Sequence, residues 1–316
     1  MRIFRHYTEL PAAVRGGVVA LGNFDGVHLG HQTVIGTAQA VAREKQVACG
    51  VMSFEPHPHT VFRPNDEPFR LTPFRIKARL IERLGVDFLL MQHFDLDFAA
   101  HTADAFVDAA LLGGMGACHV VVGYDFVFGH DRKGDVAAMQ AMGAKRGFGV
   151  TCIGAVTAED GVLYSSTSVR QALRAGRPEE AARLLGHPWE IEGRVEPGDQ
   201  RGRVLGFPTA NLHLGEYLRP AAGVYTIFAG IDKGNGTEWL PGVANFGHRP
   251  TFGKKDALLE VHLFDFDGDL YGRHLRVALI DFLRPERKFD GVAALTAQIA
   301  EDTDKARRLL ATKAGP

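Results

Sequence analysis

One stretch, Gly22–His31 (GNFDGVHLGH), constrains the fold more than any other part of this sequence. It directly follows the apolar run Val18–Leu21, so a buried strand is predicted to enter a glycine-bearing turn and then a helix. The glycines let the backbone approach a ligand closely, and a helix N-terminus offers unpaired N–H groups to an anion. His28 and His31 are spaced to share one face of the first helical turn. The pattern predicts a polyphosphate site, and the alternative is a surface histidine pair with no ligand.

Apolar runs alternate with helical patterns through the first half of the chain. Short apolar strands without polar alternation, separated by helices, indicate a parallel sheet covered on both faces. Ligands bind such sheets outside the carboxyl ends of the strands, where Gly22–His31 falls. The predicted strands are Val18–Leu21, Val47–Phe54, Phe88–Met91, His119–Val122 and Val150–Ile153, and the predicted helices are 32–45, 73–84, 103–112 and 134–147.

A second chemical stretch, residues 123–129 (GYDFVFG), follows the fourth of these strands. A carboxylate at Asp125 would be well placed for a metal ion or for a hydroxyl of the ligand. Phe126 and Phe128 can stack on a ring system or fill the core, and the residues alone leave both readings open.

A third stretch, residues 165–170 (SSTSVR), precedes a helical run that begins near residue 171. Ser166 would be explained as an ordinary helix cap. Hydroxyl groups including that of Thr167, followed by Arg170, also suit a second phosphate cradle, because a guanidinium can bridge two phosphate oxygens.

After the helical stretch Pro178–Leu185, the sequence changes from alternating strands and helices to short β-type runs. Short β-type runs separated by glycine turns predict a small antiparallel barrel, and apolar spacing from Gly291 onward predicts a C-terminal helix packed on it. The runs are Trp189–Val195, Gly223–Ile231, Trp239–Asn245, Leu258–Phe266 and Leu275–Leu283. We place the junction of the two domains between residues 186 and 187.

Polar side chains on two of these segments suggest chemistry. Thr209 and Asn211 are two residues apart, so an extended strand turns both to one side, where a hydroxyl and an amide oxygen suit a magnesium ion shared with phosphates. Glu260 lies on a strand with one polar face and can act as a general base if it reaches a substrate hydroxyl. The alternatives are a polar strand edge and a solvated glutamate.

Taken together, these motifs resemble a known family. His-x-Gly-His after a first strand is similar to the nucleotidyltransferase superfamily, and GNFDGVHLGH and SSTSVR resemble its prokaryotic bifunctional riboflavin kinase/FMN adenylyltransferase (FAD synthetase) branch. PTAN, GVANFGHRPTF, LEVHLFDFDGDLYG and LRPERKF, in this order, resemble the riboflavin kinase module. The resemblance spans nearly the whole chain. It implies a Rossmann-like nucleotidyltransferase domain over residues 1–186 and a riboflavin kinase-like barrel with a C-terminal helix over residues 187–316.

The resemblance also implies the reactions and their residues. ATP phosphorylates riboflavin to FMN, and a second ATP adenylylates FMN to FAD with release of pyrophosphate. The resemblance assigns catalytic roles to Glu260, His28, His31 and Arg170. It assigns the binding of Mg²⁺ to Thr209 and Asn211. ATP contacts fall on Gly22, Asn23, Phe24, Asp25, Gly26, His28, His31, Ser166, Thr167, Arg170, Gly206, Thr209 and Asn211. Flavin contacts fall on Asp125, Phe126, Phe128, Asn245, Arg249, Pro250 and Thr251.

Two departures and two rival functions accompany this resemblance. Residues 195–200 (VEPGDQ) stand where relatives usually have His-Gly-x-Gly, and Ser168 stands where many carry a basic residue. A nucleotidyltransferase of another specificity, acting on phosphopantetheine or nicotinamide mononucleotide, shares the first motif but does not explain the barrel motifs. A non-catalytic flavin-binding protein keeps the fold without needing the catalytic residues.

Composition sets the remaining expectations. A length of 316 residues allows two domains with full cores, and 46% apolar and 23% charged residues are typical of a soluble globular protein. A net charge of −1 argues against bulk nucleic-acid binding. The cysteines Cys49, Cys118 and Cys152 are scattered, which favours a reducing compartment. We expect a cytoplasmic protein that is a monomer or a weak homo-oligomer, with no membrane span and no signal peptide.

Overall fold

The computed structural model of the protein describes residues 1–197, 206–234, 236–251 and 254–316, and of residues 248–256 it gives no side chains. The chain divides into two compact units. The first unit comprises Met1–Glu67 and Phe74–Ser165, and the second comprises Pro68–Pro73 and Ser166–Pro316. That two domains meet between residues 186 and 187 stays a prediction.

The first unit is built on a parallel sheet, as the sequence predicts. The strands are β1 (Arg2–Phe4), β2 (Val18–Leu21), β3 (Cys49–Glu55), β4 (Phe88–His93), β5 (His119–Gly123) and β6 (Gly149–Ile153), in the spatial order β1-β4-β3-β2-β5-β6. Every pair in this sheet is parallel. The four residues of β2 are all buried, which agrees with an apolar run that has no polar alternation.

Helices connect these strands. They are α1 (Leu29–Lys45), α2 (Pro58–Phe62), α3 (Phe74–Arg83), α4 (Leu96–Ala99), α5 (Ala103–Phe106) and α6 (Val136–Arg146). From Val107 to Gly114 the chain continues α5 as a π-helix, so the helix predicted over 103–112 is wound more widely in its second half. The apolar core of this unit includes Val19, Phe88 and Val120.

The position of β2 explains where a ligand can bind to the first unit. The chain order runs from β2 to β3 on one side and reaches β5 on the other side, so the sheet has its topological switch point between β2 and β5. Crevices outside the carboxyl ends of strands at such points bind ligands in open α/β sheets. The loop that follows β2 carries residues 22–31, and the loop that follows β5 carries residues 123–129.

The second unit contains an antiparallel sheet with two helices before it and one after it. Its helices are α7 (Ser166–Arg174), α8 (Pro178–Leu185) and α9 (Val292–Leu310). Its strands are β7 (Trp189–Arg194), β8 (Ala210–His213), β9 (Gly223–Asp232), β10 (Thr237–Thr251), β11 (Lys254–Leu263) and β12 (His274–Pro285), in the order β7-β12-β9-β10-β11-β8. The helix expected from residue 171 begins at Ser166, because Val169, Ala172 and Leu173 form its buried face from the first turn onward.

The barrel closes between its two edge strands. Glu196, just after β7, forms an antiparallel bridge with Asn211 of β8, and its N–H donates to the Asn211 carbonyl at 2.9 Å. Helix α9 packs on the sheet through Ala306 and Leu310. Asp302 of this helix holds Arg284 of β12 by hydrogen bonds of 2.8–3.1 Å. In the described part of the chain, none of the helices has the length and apolar character that a membrane crossing needs.

Candidate active sites

The loop after β2 places His28 at the start of α1. His28 is the N-cap residue of this helix and is 6% exposed, and its Nδ1 accepts the His31 N–H at 3.2 Å. A neutral imidazole that accepts at Nδ1 carries its proton on Nε2. The loop therefore fixes one tautomer of His28, with a donor at the far nitrogen of the ring.

Close packing holds the two histidines of this loop together. The rings of His28 and His31 stack with centroids 3.5 Å apart, and the Phe24 ring meets His31 edge-on at 5.2 Å. A Cβ atom at Gly30 would lie 3.0 Å from the Tyr164 carbonyl oxygen and 3.2 Å from His28 Cε1, so a larger residue here would press on the His28 ring. The pair is thus preorganised at a helix N-terminus, as a phosphate site requires.

Two residues beneath the loop were not expected from the sequence. Lys77 of α3 has no exposed surface, and its Nζ donates to the Asn23 carbonyl at 2.7 Å. Ser53 of β3 is also buried and donates from Oγ to the same carbonyl at 3.0 Å. The available signal was the helical spacing of Lys77 and Ile81, which places this lysine on the inward face of α3.

The loop after β5 presents one carboxylate and two aromatic rings. Asp125 is exposed, whereas Phe128 is 7% exposed and its ring stacks on that of Phe126 with centroids 5.5 Å apart. Further phenylalanines continue from Phe128 to Phe62 of α2, which is 59% exposed. The successive ring contacts join Phe128, Phe106, Phe98, Phe94 and Phe62 at 5.7–6.1 Å. Sequence reasoning missed this chain of rings, because its members come from four separate segments.

In the second unit, the hydroxyl-rich stretch forms the first turns of α7. Ser166 is half-buried and Thr167 is exposed, and Arg170 follows one turn after Thr167. Arg170 Nε donates to the Phe69 carbonyl at 2.9 Å, and its guanidinium carbon lies 5.4 Å from the centre of the Phe69 ring. Phe69 therefore orients this arginine, a role that no local signal in the sequence indicated. His28 and His31 belong to the first unit, and these residues belong to the second.

The barrel brings together polar residues that are far apart in the sequence. Glu260 of β11 stands opposite Asn211 of β8 on one side and opposite Asn245 of β10 on the other. Residues directly opposite one another on neighbouring strands project from the same face of a sheet. Glu196, bridged to Asn211, extends this row at its end. Asn211, Glu260 and Asn245 thus form a continuous polar row, which we call the kinase row.

Asn211 has the clearest mark of a ligand-binding residue in this row. It is 6% exposed, and in the described part of the chain its Oδ1 is buried without a hydrogen-bond partner. Buried polar atoms are nearly always paired, so an unpaired one calls for a ligand or an ion. Thr209 is half-buried and lies just before β8 rather than within it. No three His, Cys, Asp or Glu side chains among the described residues are grouped for a metal, so a cation here would rely on oxygen donors of other types.

A histidine next to the kinase row fixes the segment before β8. His262 shares a strand face with Glu260, and its Nδ1 lies 2.9 Å from the Pro208 carbonyl oxygen. Because a carbonyl can only accept, the ring donates from Nδ1. The Phe207 ring packs edge-on against His262 at 5.5 Å. This contact holds the residues between Gly206 and Thr209 against the strand that carries Glu260.

Three predicted flavin-binding residues lie where the structure gives only the backbone. Arg249, Pro250 and Thr251 continue β10 in register with β11, and their side chains lie outside the described residues. The departure at residues 195–200 is described only as far as Pro197. Both Glu196 and Pro197 are exposed, and Glu196 lies 3.3 Å from His213.

Comparison with known proteins relates each unit to a described family. A family model described as FAD synthetase matches residues 10–168, and one described as riboflavin kinase matches residues 185–310. The bifunctional riboflavin kinase/FMN adenylyltransferase of Pseudomonas fluorescens is 43% identical over 316 residues, with 99% of each chain covered. The protein of the same name from Escherichia coli (strain K12) is 42% identical over 308 residues, with 97% of each chain covered.

A solved structure shares the fold of this chain. It is described as a macrolide-efflux protein from Streptococcus pneumoniae and superposes with a TM-score of 0.84 at 32% identity. The match covers 96% of this chain and 98% of that one. The likeness therefore extends over both units.

Proposed function

The chain belongs to the family of bifunctional riboflavin kinases/FMN adenylyltransferases, and we propose that it makes FAD from riboflavin in two ATP-dependent steps. Its substrates are riboflavin, FMN and ATP. The observation that carries the residue assignments is the pairing of two features in one chain. A preorganised histidine pair stands at a helix N-terminus, and an unpaired amide oxygen stands opposite a carboxylate on the barrel.

We assign riboflavin phosphorylation to the kinase row. Glu260 accepts the proton of the ribityl 5′-hydroxyl. The oxygen of this hydroxyl bonds to the γ-phosphorus of ATP, and ADP is the leaving group. Phosphoryl transfer passes through a loose transition state, so orientation of the hydroxyl matters more than the strength of the base. Asn245, opposite Glu260, contacts the flavin, and the backbone near Gly206 approaches ATP. Arg249, Pro250 and Thr251 are proposed flavin contacts from the resemblance alone.

The donor set at the start of β8 fits a magnesium ion. The unpaired Oδ1 of Asn211 and the hydroxyl of Thr209 are oxygen donors, the ligand type that Mg²⁺ prefers. Mg²⁺ bound there supplies positive charge that offsets the charge of the ATP phosphates. The protein's own part is to keep Asn211 Oδ1 buried and, within the described ranges, without a hydrogen bond that the ion would have to break.

We assign adenylylation of FMN to the loop of residues 22–31, and from the resemblance alone we add Ser166, Thr167 and Arg170 of α7 as ATP contacts. The FMN phosphate is already an anion, so its attack on the α-phosphorus of ATP needs no general base, and pyrophosphate leaves. The enzyme has to stabilise the charge that develops on the phosphate oxygens. His28 offers its Nε2–H for this purpose, and His31 stacks beside it. A catalytic role of Arg170 is proposed from the resemblance alone. Ser166 and Thr167 donate hydroxyl hydrogen bonds.

We propose that the flavin ring in this step packs on the phenylalanines described above. The exposed Phe62 and the stacked pair of Phe126 and Phe128 supply flat apolar surface near the carboxyl ends of the strands. Aromatic stacking favours a flat ring system of the isoalloxazine type. Asp125, exposed beside this pair, accepts a hydrogen bond from a ribityl hydroxyl in this proposal. The cytoplasm is the proposed location.

Analysis of the products by liquid chromatography tests both reactions. The purified protein is incubated with ATP and Mg²⁺ and either riboflavin or FMN. FAD formed from riboflavin, with FMN appearing first, supports the proposal. FAD formed from FMN but not from riboflavin would show that the kinase row is inactive. No conversion of either flavin would overturn the proposed function, and omission of Mg²⁺ with added chelator tests the metal in each step separately.

A further inference from the structure

Lys77 is a charged residue in the interior of the first unit, with no surface exposed to solvent. Lysine is almost never fully buried unless its ammonium group is hydrogen-bonded, because burial of an unpaired charge is very unfavourable. The Lys77 Nζ donates to the Asn23 carbonyl at 2.7 Å and lies 3.4 Å from Ser53 Oγ. Ser53 donates to the same carbonyl, so the Asn23 oxygen accepts two hydrogen bonds, one of them from a cation.

The carbonyl that Lys77 holds belongs to the peptide between Asn23 and Phe24, inside the proposed phosphate loop. A trans peptide is planar, so a fixed carbonyl also fixes the N–H of the next residue on the opposite side. Phe24 has a φ of 47° and Val27 has a φ of 45°, values that non-glycine residues seldom adopt. Such a backbone persists only where surrounding groups determine it, and Lys77 and Ser53 are groups of this kind.

We propose that Lys77 is a positioning residue for adenylyl transfer. Its ammonium fixes the peptide between Asn23 and Phe24, so that the Phe24 N–H faces the ATP phosphates beside His28. The buried positive charge also strengthens the attraction of the loop for a polyanion, since charges act over longer range in a poorly screened interior. This inference rests on the adenylyltransferase function proposed above. It adds Lys77 of α3, which contacts the loop through the Asn23 carbonyl, to the residues that serve that function.

Three variants separate positioning from simple packing. Lys77→Met keeps the length of the side chain and removes the charge and the donor. Lys77→Arg restores a charged donor. Ile81→Ala is the control, because Ile81 is a buried residue one turn further along α3 and its truncation should destabilise the helix while Lys77 stays in place. Kinetics of FAD formation from FMN give kcat and KM for ATP, and FMN formation from riboflavin serves as a reference for the second unit.

We expect Lys77→Met to lower kcat for FAD formation on the order of 10²-fold, the usual effect of losing one preorganised donor. Lys77→Arg should recover part of this loss, and FMN formation should be unchanged in all three variants. Ile81→Ala should lower the melting temperature with little change in kcat. Wild-type kcat in Lys77→Met, or an equal loss of kcat in Ile81→Ala at a similar melting temperature, would overturn the proposal.

Amide hydrogen exchange of the peptide that covers residues 22–28 gives a second readout that needs no turnover. Lys77→Met should exchange faster than wild type in this peptide, and Ile81→Ala should not. Unchanged exchange in Lys77→Met would overturn the positioning role whatever the activity. Faster exchange in a protein whose wild type makes no FAD would instead reject the adenylyltransferase function and with it the role in adenylyl transfer.

Discussion

Among the described residues, the Oδ1 atom of the buried Asn211 has no hydrogen-bond partner, and substitution of this residue should therefore move stability and activity in opposite directions. Loss of this oxygen removes no hydrogen bond within the described part of the chain. We predict that Asn211→Leu keeps or raises the melting temperature while the KM for MgATP in FMN formation rises about tenfold or more, the cost of one ligand contact at roughly 1.4 kcal/mol per factor of ten. Differential scanning calorimetry and steady-state kinetics on the same preparation measure both quantities.

Thr226 provides the matched control for Asn211. It is fully buried in the same barrel, but its hydroxyl donates to Asp281 Oδ2 at 2.9 Å and accepts the Asp281 N–H at 3.0 Å. Thr226→Val should thus lower the free energy of unfolding by about 1–3 kcal/mol, with little change in KM. An equal loss of stability in Asn211→Leu would contradict the view that its oxygen is kept for a ligand.

Glu260 is the residue on which the kinase reaction depends in this proposal. Glu260→Gln keeps the shape of the side chain and removes its ability to accept a proton. We predict that FMN formation slows by about 10²-fold or more, the usual contribution of a positioned general base. FAD formation from FMN should continue at the wild-type rate. The control is Glu238→Gln, which alters an exposed glutamate of β10 that pairs with Lys233. Wild-type FMN formation by Glu260→Gln would remove Glu260 from the mechanism.

At the scale of elements, α8, β12 and the chain after α9 meet in one cluster of charges. Lys313 Nζ lies 2.7 Å from Asp281 Oδ1 and 3.3 Å from Glu179 Oε1. Burial raises the pKa of Asp281, but hydrogen bonds from Glu179, Lys313 and Thr226 outweigh it, so the pKa lies below 3.8. A hydrogen bond to Asp281, together with burial, raises the pKa of Glu179 above 4.5. The charged form of Glu179 is therefore disfavoured beside Asp281, whereas the charged form of Asp281 is favoured.

The raised pKa of Glu179 gives the stability of the fold a pH dependence with a definite sign. A raised folded-state pKa means that Glu179 contributes stability below its unfolded pKa of 4.5 and loses it as the pH rises through the folded value. We predict that Glu179→Gln, which mimics the protonated group, raises the melting temperature at neutral pH and changes it little below pH 4.5. Thermal unfolding followed by circular dichroism across this pH range measures the effect.

Glu180 is the control on the same helix. It pairs with Arg177 at 2.8 Å, so Glu180→Gln removes a negative charge from α8 and leaves Glu179 and Asp281 in place. Its melting temperature should stay the same or fall slightly at neutral pH. A lower melting temperature of Glu179→Gln at neutral pH would show that Glu179 is held there as a carboxylate and would contradict the assignment.

Elements with a strong apolar pattern could be predicted from the sequence, and those without one could not. The bounds of β2 and α8 agree with the predicted ones, because each has a buried face that the apolar residues mark. β1 was missed, since it has three residues and two of them are exposed. The start of α7 was placed too late, because Ser166 and Thr167 were interpreted as residues before a helix rather than within it.

The same distinction holds for the sites. Motifs within one loop, such as His28 and His31, are visible as spacing in the sequence. Contacts between distant segments are not, because local pattern carries no information on which element packs beside which. Lys77 and Asn23 are 54 residues apart, and Arg170 and Phe69 are 101 residues apart. The partners that orient the proposed catalytic groups are therefore the part that only the structure reveals.

At the scale of the whole molecule, each unit has a hydrophobic core of its own. One cluster of buried residues surrounds Phe88 in the first unit, and another surrounds Phe228 in the second. A substitution that inactivates one proposed site should leave the other core intact. The glutamate of the kinase row and the histidines of the phosphate loop can thus be removed separately, and each variant should retain one complete reaction.

Mixing of two such variants tests whether the reactions are independent. Glu260→Gln should convert FMN but not riboflavin to FAD, and the double variant His28→Ala/His31→Ala should stop at FMN. Neither alone makes FAD from riboflavin, but a mixture should, because FMN released by one molecule is a substrate for the other. His93→Ala, in which an exposed histidine of the first unit is removed, is the control and should make FAD unaided.

FAD accumulation that rises with the concentration of both variants supports release of FMN into solution. A mixture that makes no FAD because FMN stays bound to the His28→Ala/His31→Ala variant, although Glu260→Gln alone adenylylates added FMN, would contradict release of FMN into solution and indicate that the intermediate passes within one molecule.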